Sequence, residues 1–453
     1  MTNSNKKIAV IGAGLTGLTA AFYLKQKKNS FQVFEKESRI GGVIQTHQKG
    51  DFTWESGPST GSISKPEVME LFEDLKALDV LETAKSVSKN RYILKNNKLH
   101  ALPSGPVSGF FTPLFSWKDK FGILLEPFRA KGSDPHENLS SFVKRRLGSS
   151  ILDYAVDPFV SGVYAGSPET IIPRYALPKL YSLEEQYGSF IKGSIHKLKE
   201  TKTTREKKAT KEVFSAKGGL STLIHKLEEA IGKESIHTHC ENLEIRYENN
   251  QYIVSSSSTE PQIFDQVIYT ASAKNIFEVF PFLNTPPYQD ANQILYTAVA
   301  EVAVGFSQWE AFPLDGFGAL MPSKENRDLL GILFMSSLFE KRAPQGGAML
   351  AVFVGGERRP ELLELSDKEL QNLVENELKS ILKIQNFKPE IFEIQRHFNA
   401  IPQYDILTPK RMAAFEAIQN AYPGLFLGGN GVGGIGMADR IKQGKELALN
   451  ILK

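Results

Sequence analysis

The sequence predicts an α/β protein with a nucleotide-type parallel sheet, an antiparallel-sheet domain and a helical insertion, and three observations carry that prediction. First, the strand Lys7-Ile-Ala-Val-Ile11, the turn Gly12-Ala-Gly-Leu-Thr-Gly17, a helical stripe (Leu18, Ala21, Phe22, Leu24) and the strand Phe31-Gln-Val-Phe-Glu35 follow one another directly. Strand, glycine turn, helix and strand in so short a span form a βαβ unit. Second, strand-like runs dominate from Ala298 to Gly355: Ala298 to Phe306, Leu329 to Met335 and Ala348 to Val354. Third, from about Arg91 to Glu200 helical patterning, aromatic residues and prolines replace strand alternation. At 453 residues the chain is also too long for one ordinary core.

Taken in order, the β-branched run Lys7–Ile11 favours a buried strand, and Leu15 to Lys27 a helix. Lys192 to Lys211 is polar and rich in lysine, as a solvated loop would be. Gly218-Gly-Leu-Ser-Thr-Leu opens a helix that leads to a strand from Ile236 toward Ile245. Phe264 to Ala271 is a further apolar strand ending in small residues. Leu425-Phe-Leu427, a glycine-rich turn and a helix from Asp439 to Leu452 repeat the opening pattern. The expected domains are therefore a discontinuous nucleotide-binding domain (1–88, 212–285 and 405–453), a helical domain (89–211) and a substrate domain (286–404).

Composition excludes several function classes. Lys plus Arg total 54 against 51 Asp plus Glu, a net charge of +3, which gives no footprint for nucleic-acid binding. The single cysteine, Cys240, excludes a disulfide framework and any thiolate-rich metal site. The start of the chain lacks the apolar core of a secretory signal, and no run of about 18 uncharged apolar residues occurs. A protein of a reducing compartment is expected, soluble or peripheral to a membrane.

Gly12, Gly14 and Gly17 stand at GxGxxG spacing between strand and helix. The first allows the tight turn, the second lets a pyrophosphate approach the backbone, and the third lets the helix pack on the sheet. Diphosphate charge would then sit at the positive end of the helix dipole. Glu35 ends the next strand, where its carboxylate can accept from both ribose hydroxyls and would repel a 2′-phosphate. Arg39-Ile-Gly-Gly42 and Glu55-Ser-Gly-Pro58 permit close passage of a bulky cofactor. Gly428 to Gly436 opens the last helix, whose amides would face the N1–C2 carbonyl edge of a reduced flavin. Two glycine-rich helix starts at opposite ends of the chain suit an extended dinucleotide, FAD.

Glu35 followed by Arg39-Ile-Gly-Gly42 resembles the second fingerprint of the FAD-dependent amine-oxidase superfamily. Asn90-Arg-Tyr-Ile-Leu with Lys98-Leu-His-Ala-Leu-Pro103, Ser141 to Gly148, Gly162-Val-Tyr-Ala-Gly166, Gly316 to Pro322, Ile401-Pro-Gln-Tyr404 and Gly434 to Ile441 are similar, in order, to motifs of the oxygen-dependent protoporphyrinogen oxidases. The resemblance implies a Rossmann-like FAD-binding domain and oxidation of protoporphyrinogen IX to protoporphyrin IX in haem biosynthesis, with electrons passing through FAD to molecular oxygen and hydrogen peroxide released. Coproporphyrinogen III oxidation to coproporphyrin III stays open beside it, as does, more remotely, a carotenoid or amine substrate. In such chemistry the flavin takes the hydride, so no catalytic side chain is expected, and no metal.

The resemblance also implies site residues. Arg91 would pair with a substrate propionate; Phe317, Leu320 and Phe353 would clamp the macrocycle, and Gly162 would offer backbone near it. The cofactor set would comprise Gly12, Ala13, Gly14, Leu15, Thr16, Gly17, Glu35, Lys36, Gly42, Val43, Gly57, Pro58, Ser59, Thr60, Asn242, Gly434, Ile435 and Gly436. Two positions depart from the pattern. Val43 stands where many relatives carry Arg or Lys, so its contact is expected from backbone, and Pro409 stands near the usual aromatic neighbour of the flavin. Leu102 to Phe128, with Phe110, Phe111, Trp117, Phe121 and Phe128 among lysines, reads either as a membrane-interface segment or as an apolar helix packed inside the insertion. The expected setting is the cytoplasm or the cytoplasmic face of a membrane, with hand-over of product to ferrochelatase and a homodimer as further expectations.

Overall fold

A computed structural model describes residues 6–451. Five parallel strands run in the order Ile236–His237, Ser30–Phe34, Lys7–Ile11, Gln266–Tyr269, Leu425–Leu427. Both faces of this sheet are covered, which is why its strands read as continuous apolar runs. On one side Ile8, Val10 and Ile268 pack against the helices Leu15–Gln26, Ser221–Ile231 and Met437–Asn450 through Leu18, Leu24, Ile224 and Ile441. On the other, Ala9, Ile11, Val267 and Tyr269 meet Phe264, Phe280 and Ile418. Each such aliphatic or aromatic side chain contributes roughly 1.5–3 kcal/mol when fully buried. The α/β class and the βαβ start are as predicted.

The second sheet has seven strands, in the order Ile391–Pro402, Tyr296–Phe306, Ala348–Gly355, Leu329–Leu333, Gly318–Leu320, Tyr92–Lys95, Lys98–Ala101. All its pairs are antiparallel except Gly318–Leu320 with Tyr92–Lys95. Alternation along Tyr296–Phe306 sends Ala300, Val302 and Val304 to one face, under the helix Asp367–Leu382 with Leu370, Val374 and Leu378. The opposite face turns Ala303, Ala351, Leu333 and Phe353 toward Phe52 and Trp54 of the nucleotide-binding part.

Four local expectations are corrected. The helical character expected from Arg91 begins only at Pro106, because Tyr92–Lys95 and Lys98–Ala101 form a hairpin that extends the seven-stranded sheet. Its two turn residues, Asn96 and Asn97, both hold φ near +51 to +60°, the backbone that a two-residue hairpin turn requires. Lys192 lies in the helix Phe190–Lys199, capped by the Ser189 hydroxyl, which accepts from the Lys192 amide at 3.1 Å; it is not in a loop. The strand from Ile236 ends at His237, because His239 and Asn242 take left-handed backbone, and a separate strand starts at Glu244. The last helix starts at Met437, two residues before Asp439, which serves as its third residue and caps it; Leu452, the end expected for it, lies outside the described residues.

The insertion itself is held by buried charge. Arg146, fully buried on the helix Leu139–Leu147, pairs with the Glu126 carboxylate and donates to the carbonyls of Arg129 and Gly188. Glu126 also accepts from the Ser189 hydroxyl at 2.5 Å and the Phe190 amide at 2.9 Å. Burial pushes Glu126 up, but these hydrogen bonds outweigh it and hold the carboxyl below its ordinary value.

Candidate functional site

The glycine turn closes the carboxyl end of the first strand. Gly12 donates to the Phe34 carbonyl at 2.8 Å, and Thr270 Oγ1, at the end of the neighbouring strand, donates to the carbonyls of Ile11 and Gly12. A Cβ on Gly17 would lie 1.9 Å from the Gly12 carbonyl oxygen, so only glycine lets the helix Leu15–Gln26 sit so close to the turn. A Cβ on Gly14 would meet nothing within 4 Å. Gly14 therefore borders free space at the N-terminus of that helix, whose first amides have no side-chain cap. This is a cradle for an anion. Ala13, Leu15 and Thr16 are buried behind it.

Glu35 is buried and fixes the cradle's outer wall. Its Oε2 accepts from the Ala13 amide at 2.7 Å and its Oε1 from the Glu37 amide at 3.0 Å. Each oxygen keeps lone pairs for ribose hydroxyls. Lys36 points to solvent and pairs with Glu37 at 3.4 Å. Asn242 is exposed in a turn beyond Cys240, whose amide donates to the Glu35 carbonyl at 2.9 Å.

A second rim faces the first. Gly41 donates to the Ala13 carbonyl at 2.8 Å, and Gly42, with φ +59°, brings its Cβ direction within 3.2 Å of Gly14 Cα. The Val43 side chain is 60% exposed, while its carbonyl oxygen would lie 1.9 Å from a Cβ on Gly57. Gly57, which opens the loop Gly57 to Thr60, is thus packed backbone to backbone against Val43. At the far end, Gly434 turns with φ +60° and the Gly436 amide donates to Asp439 Oδ2 at 3.2 Å. Asp439 also pairs with Lys65 at 2.5 Å. Beneath this turn Arg440 is buried with Nε and Nη2 unpartnered, and Tyr404 is buried with its hydroxyl against the Gly434 backbone. Burial pulls the Arg440 guanidinium down to about 10. Buried guanidinium donors without partners beside a glycine turn fit a ligand rich in carbonyl and phosphate oxygens. The three rims together suit a long dinucleotide.

The antiparallel sheet supplies a wall. In register across it lie Glu301, Phe353, Gly331, Leu320 and Ile93. Leu320 leans over Gly331, its Cδ2 lying 3.0 Å from where a Cβ on Gly331 would stand and 2.5 Å from a Cβ on Gly162. Arg91, exposed, stacks over the Phe317 ring at 5.0 Å, and Phe317 donates its amide to the Asn90 carbonyl at 2.8 Å. The five expected substrate residues therefore gather along one face. Pro409 lies in the first turn of the helix Thr408–Ala421. A separate cavity of about 1240 Å³, lined by Arg145, Ile172, Thr297, Gly356, Gln403 and Leu407 among others, includes none of those five.

One residue of this face was not anticipated. Glu301 is buried, and its carboxyl accepts from Ser59 Oγ at 2.9 Å and from the Gly57 amide. Burial pushes it well above the ordinary carboxylate range, with Glu55 adding to the effect. The signal was present in the sequence as a lone charge in the apolar run Ala298-Val-Ala-Glu-Val-Ala-Val304. Tyr404 and Arg440 carried no such signal, since their burial depends on distant elements.

Residues 15–452 match the family model of flavin containing amine oxidoreductases. Protoporphyrinogen oxidase 2, chloroplastic/mitochondrial, of Arabidopsis thaliana is 31% identical, over 98% of this chain and 93% of its own length. Coproporphyrinogen III oxidase of Bacillus subtilis is 27% identical, over 100% and 99%. A crystal structure from Exiguobacterium sp. 255-15 superposes with a TM-score of 0.83 at 24% identity, covering 99% of each chain, and shares the fold.

Proposed function

The chain belongs to the flavin containing amine oxidoreductase family and, within it, to the protoporphyrinogen oxidases, and on that premise we propose that it oxidises protoporphyrinogen IX to protoporphyrin IX, with molecular oxygen as final acceptor and hydrogen peroxide as by-product. It is an FAD-dependent oxidoreductase. The observation that carries the substrate reading is the wall of Leu320, Phe353 and Phe317, with Arg91 at its edge. Apolar faces suit a tetrapyrrole, and a guanidinium suits a propionate. Protoporphyrinogen, with two propionates and two vinyl groups, matches that balance better than the tetracarboxylate coproporphyrinogen, which is the second reading and is supported by the Bacillus relative.

FAD, when bound, supplies a two-electron acceptor; this chain's residues bind, orient and exclude water. Gly12 to Gly17 would take the diphosphate, Glu35 the ribose, and Gly434 to Gly436 the carbonyl edge of the ring. Gly42, Val43 and Gly57 to Thr60 would hold the ring against the wall. Lys36 and Asn242 stand at the rim of the adenosine end. Arg91 would anchor the substrate, and Leu320 and Phe353 would bound its apolar face.

Among the described residues no helix is long and apolar enough to cross a membrane. The helices Pro106–Phe111 and Trp117–Leu124 nevertheless expose Phe111 (73%) and Trp117, and the turn after them exposes Phe128 (83%). With Lys118 and Lys120 alongside, this patch fits a lipid interface better than packing inside the insertion.

The decisive experiment supplies purified holoprotein with protoporphyrinogen IX and coproporphyrinogen III in turn, following porphyrin fluorescence and peroxide. Faster turnover of the first is expected. Preference for the second would replace the substrate, and fluorescence growth no faster than autoxidation with both would refute the reading.

A further inference from the structure

A slot for an apolar macrocycle has no evident need of Glu301. The residue sits in the middle of Tyr296–Phe306 with 3% exposure, level with Phe353 and Leu320. Its neighbours on the same face are Val299 and Ala303, either of which would pack there without cost. An ionised carboxylate so far from water is costly unless paired. Among the described residues no Lys or Arg lies within ion-pair reach of it. Its bonds instead run to Ser59 Oγ and the Gly57 amide, in the loop packed on Val43.

The charged and titratable groups around it do not favour ionisation. Glu55, at the end of the strand leading into that loop, is itself pushed up by burial and adds like charge. His397, on the neighbouring strand, is bonded to the Ser56 backbone, and burial lowers it; its Nε2 is unpartnered. His47 Nε2 lies 2.9 Å from Ser56 Oγ, and burial lowers it as well. Both imidazoles are thereby biased toward the neutral form, and the Arg342 guanidinium acts on Glu55.

We propose that Glu301 is a proton-bearing positioning residue of the cofactor site, which takes up one proton from solvent when the cofactor seated against Gly57 to Ser59 gains negative charge on reduction. The proposal rests on the placement of FAD at those loops. The balance is simple. Two electrons and one proton enter the cofactor, and one further proton from water joins the Glu301 carboxylate wherever that group was ionised beside the oxidised cofactor. Ser59 and Gly57 follow the change because both bond the same carboxyl, so the loop and the charge are coupled.

The test is the midpoint potential of bound FAD, poised with dithionite, from pH 7 to 9.5 in the wild type and in Glu301→Gln, which keeps shape and removes the proton. The wild type is expected to show a window in which the potential falls more steeply, by one extra proton per two electrons, or about 29.6 mV per pH unit. Glu301→Gln is expected to lack that window. Equal slopes in the two proteins would overturn the proposal. If the variant does not fold, proton uptake on reduction of the wild type in weakly buffered solution serves alone: a second proton per two electrons is expected at some pH within the range, and one proton throughout overturns it. Wild-type protein that binds no FAD would overturn the site reading as well, whereas FAD bound with equal slopes removes Glu301 only.

Discussion

Replacing Gly14 and Gly17 by alanine separates the cofactor's requirements from the fold's. At Gly14 an added Cβ meets no atom within 4 Å, and φ is −74°, which alanine adopts freely. The unliganded protein should lose only about 1 kcal/mol, the difference between glycine and alanine as an N-cap. The methyl group, however, occupies the space where the diphosphate would approach the helix amides. Forced overlap of that kind costs about 1–3 kcal/mol, which is roughly 5- to 150-fold in the FAD dissociation constant. At Gly17 the added Cβ would sit 1.9 Å from the Gly12 carbonyl oxygen and 2.8 Å from Thr270 Oγ1. The helix must then retreat by about an ångström, so Gly17→Ala should lower both FAD affinity and the unfolding temperature of the unliganded protein. The assay is FAD titration of the stripped protein by flavin fluorescence quenching, paired with thermal melts without cofactor. Gly14→Ala that binds FAD as tightly as the wild type would refute the assignment of this turn to the diphosphate.

Three further outcomes are expected. Arg91→Ala should raise the substrate KM while flavin content stays at the wild-type level, because Arg91 is exposed and its ring contact is with Phe317 alone among the described residues; an unchanged KM would remove it from the substrate site. Ser189→Ala deletes a bond to buried Glu126 and a helix cap, and should destabilise the insertion by about 1–3 kcal/mol at pH 7 in thermal melts. Because Glu126 is held below its ordinary value, the stability it supplies is present above the unfolded value near about 4.3 and is lost as pH falls through the folded one. The wild-type and Ser189→Ala melting temperatures should therefore converge on acidification, and a constant gap down to pH 3 would contradict this. Finally, Phe111→Ser with Phe128→Ser should abolish co-flotation with anionic phospholipid vesicles while leaving turnover of detergent-dispersed substrate intact; equal flotation would place membrane contact elsewhere.

The parts of the fold that were legible in the sequence are those specified locally. Gly12, Gly14 and Gly17 between a β-branched run and a helical stripe leave little choice of structure, and Glu35 marks the next strand end. The hairpin of Tyr92–Lys95 and Lys98–Ala101 was missed, although Asn96-Asn97 is a strong local turn signal. What hid it is its partner: Gly318–Leu320 lies more than 200 residues away, and the parallel pairing there leaves no trace in local periodicity. Lys192 to Lys199 read as a loop because its lysines dominate the composition, while the Ser189 cap and the Phe190 anchor decide the structure. The candidate rims could be read from sequence because glycine is required by the backbone contacts seen at Gly17 and Gly57. Arg440 and Tyr404 were not, because nothing beside them in the chain foretells burial.

On the proposed placement of FAD its three rims lie at residues 12–17, 57–60 and 434–436, and the parallel sheet that carries the first and last takes its edge strand from Leu425–Leu427. At roughly 5–20 residues per second, a ribosome needs about 20–80 s to pass from the second rim to the third. Once synthesised, Gln266–Tyr269 lacks its outer neighbour until Leu425–Leu427 emerges, and throughout the interval the helix Leu15–Gln26 lacks Met437–Asn450, the element that covers one of its apolar flanks. Flavin cannot rescue the chain during this period, because no complete seat for it exists. Supply of the cofactor therefore influences the yield of active protein only after synthesis has passed residue 436, and a nascent chain depends until then on whatever else shields its open edge.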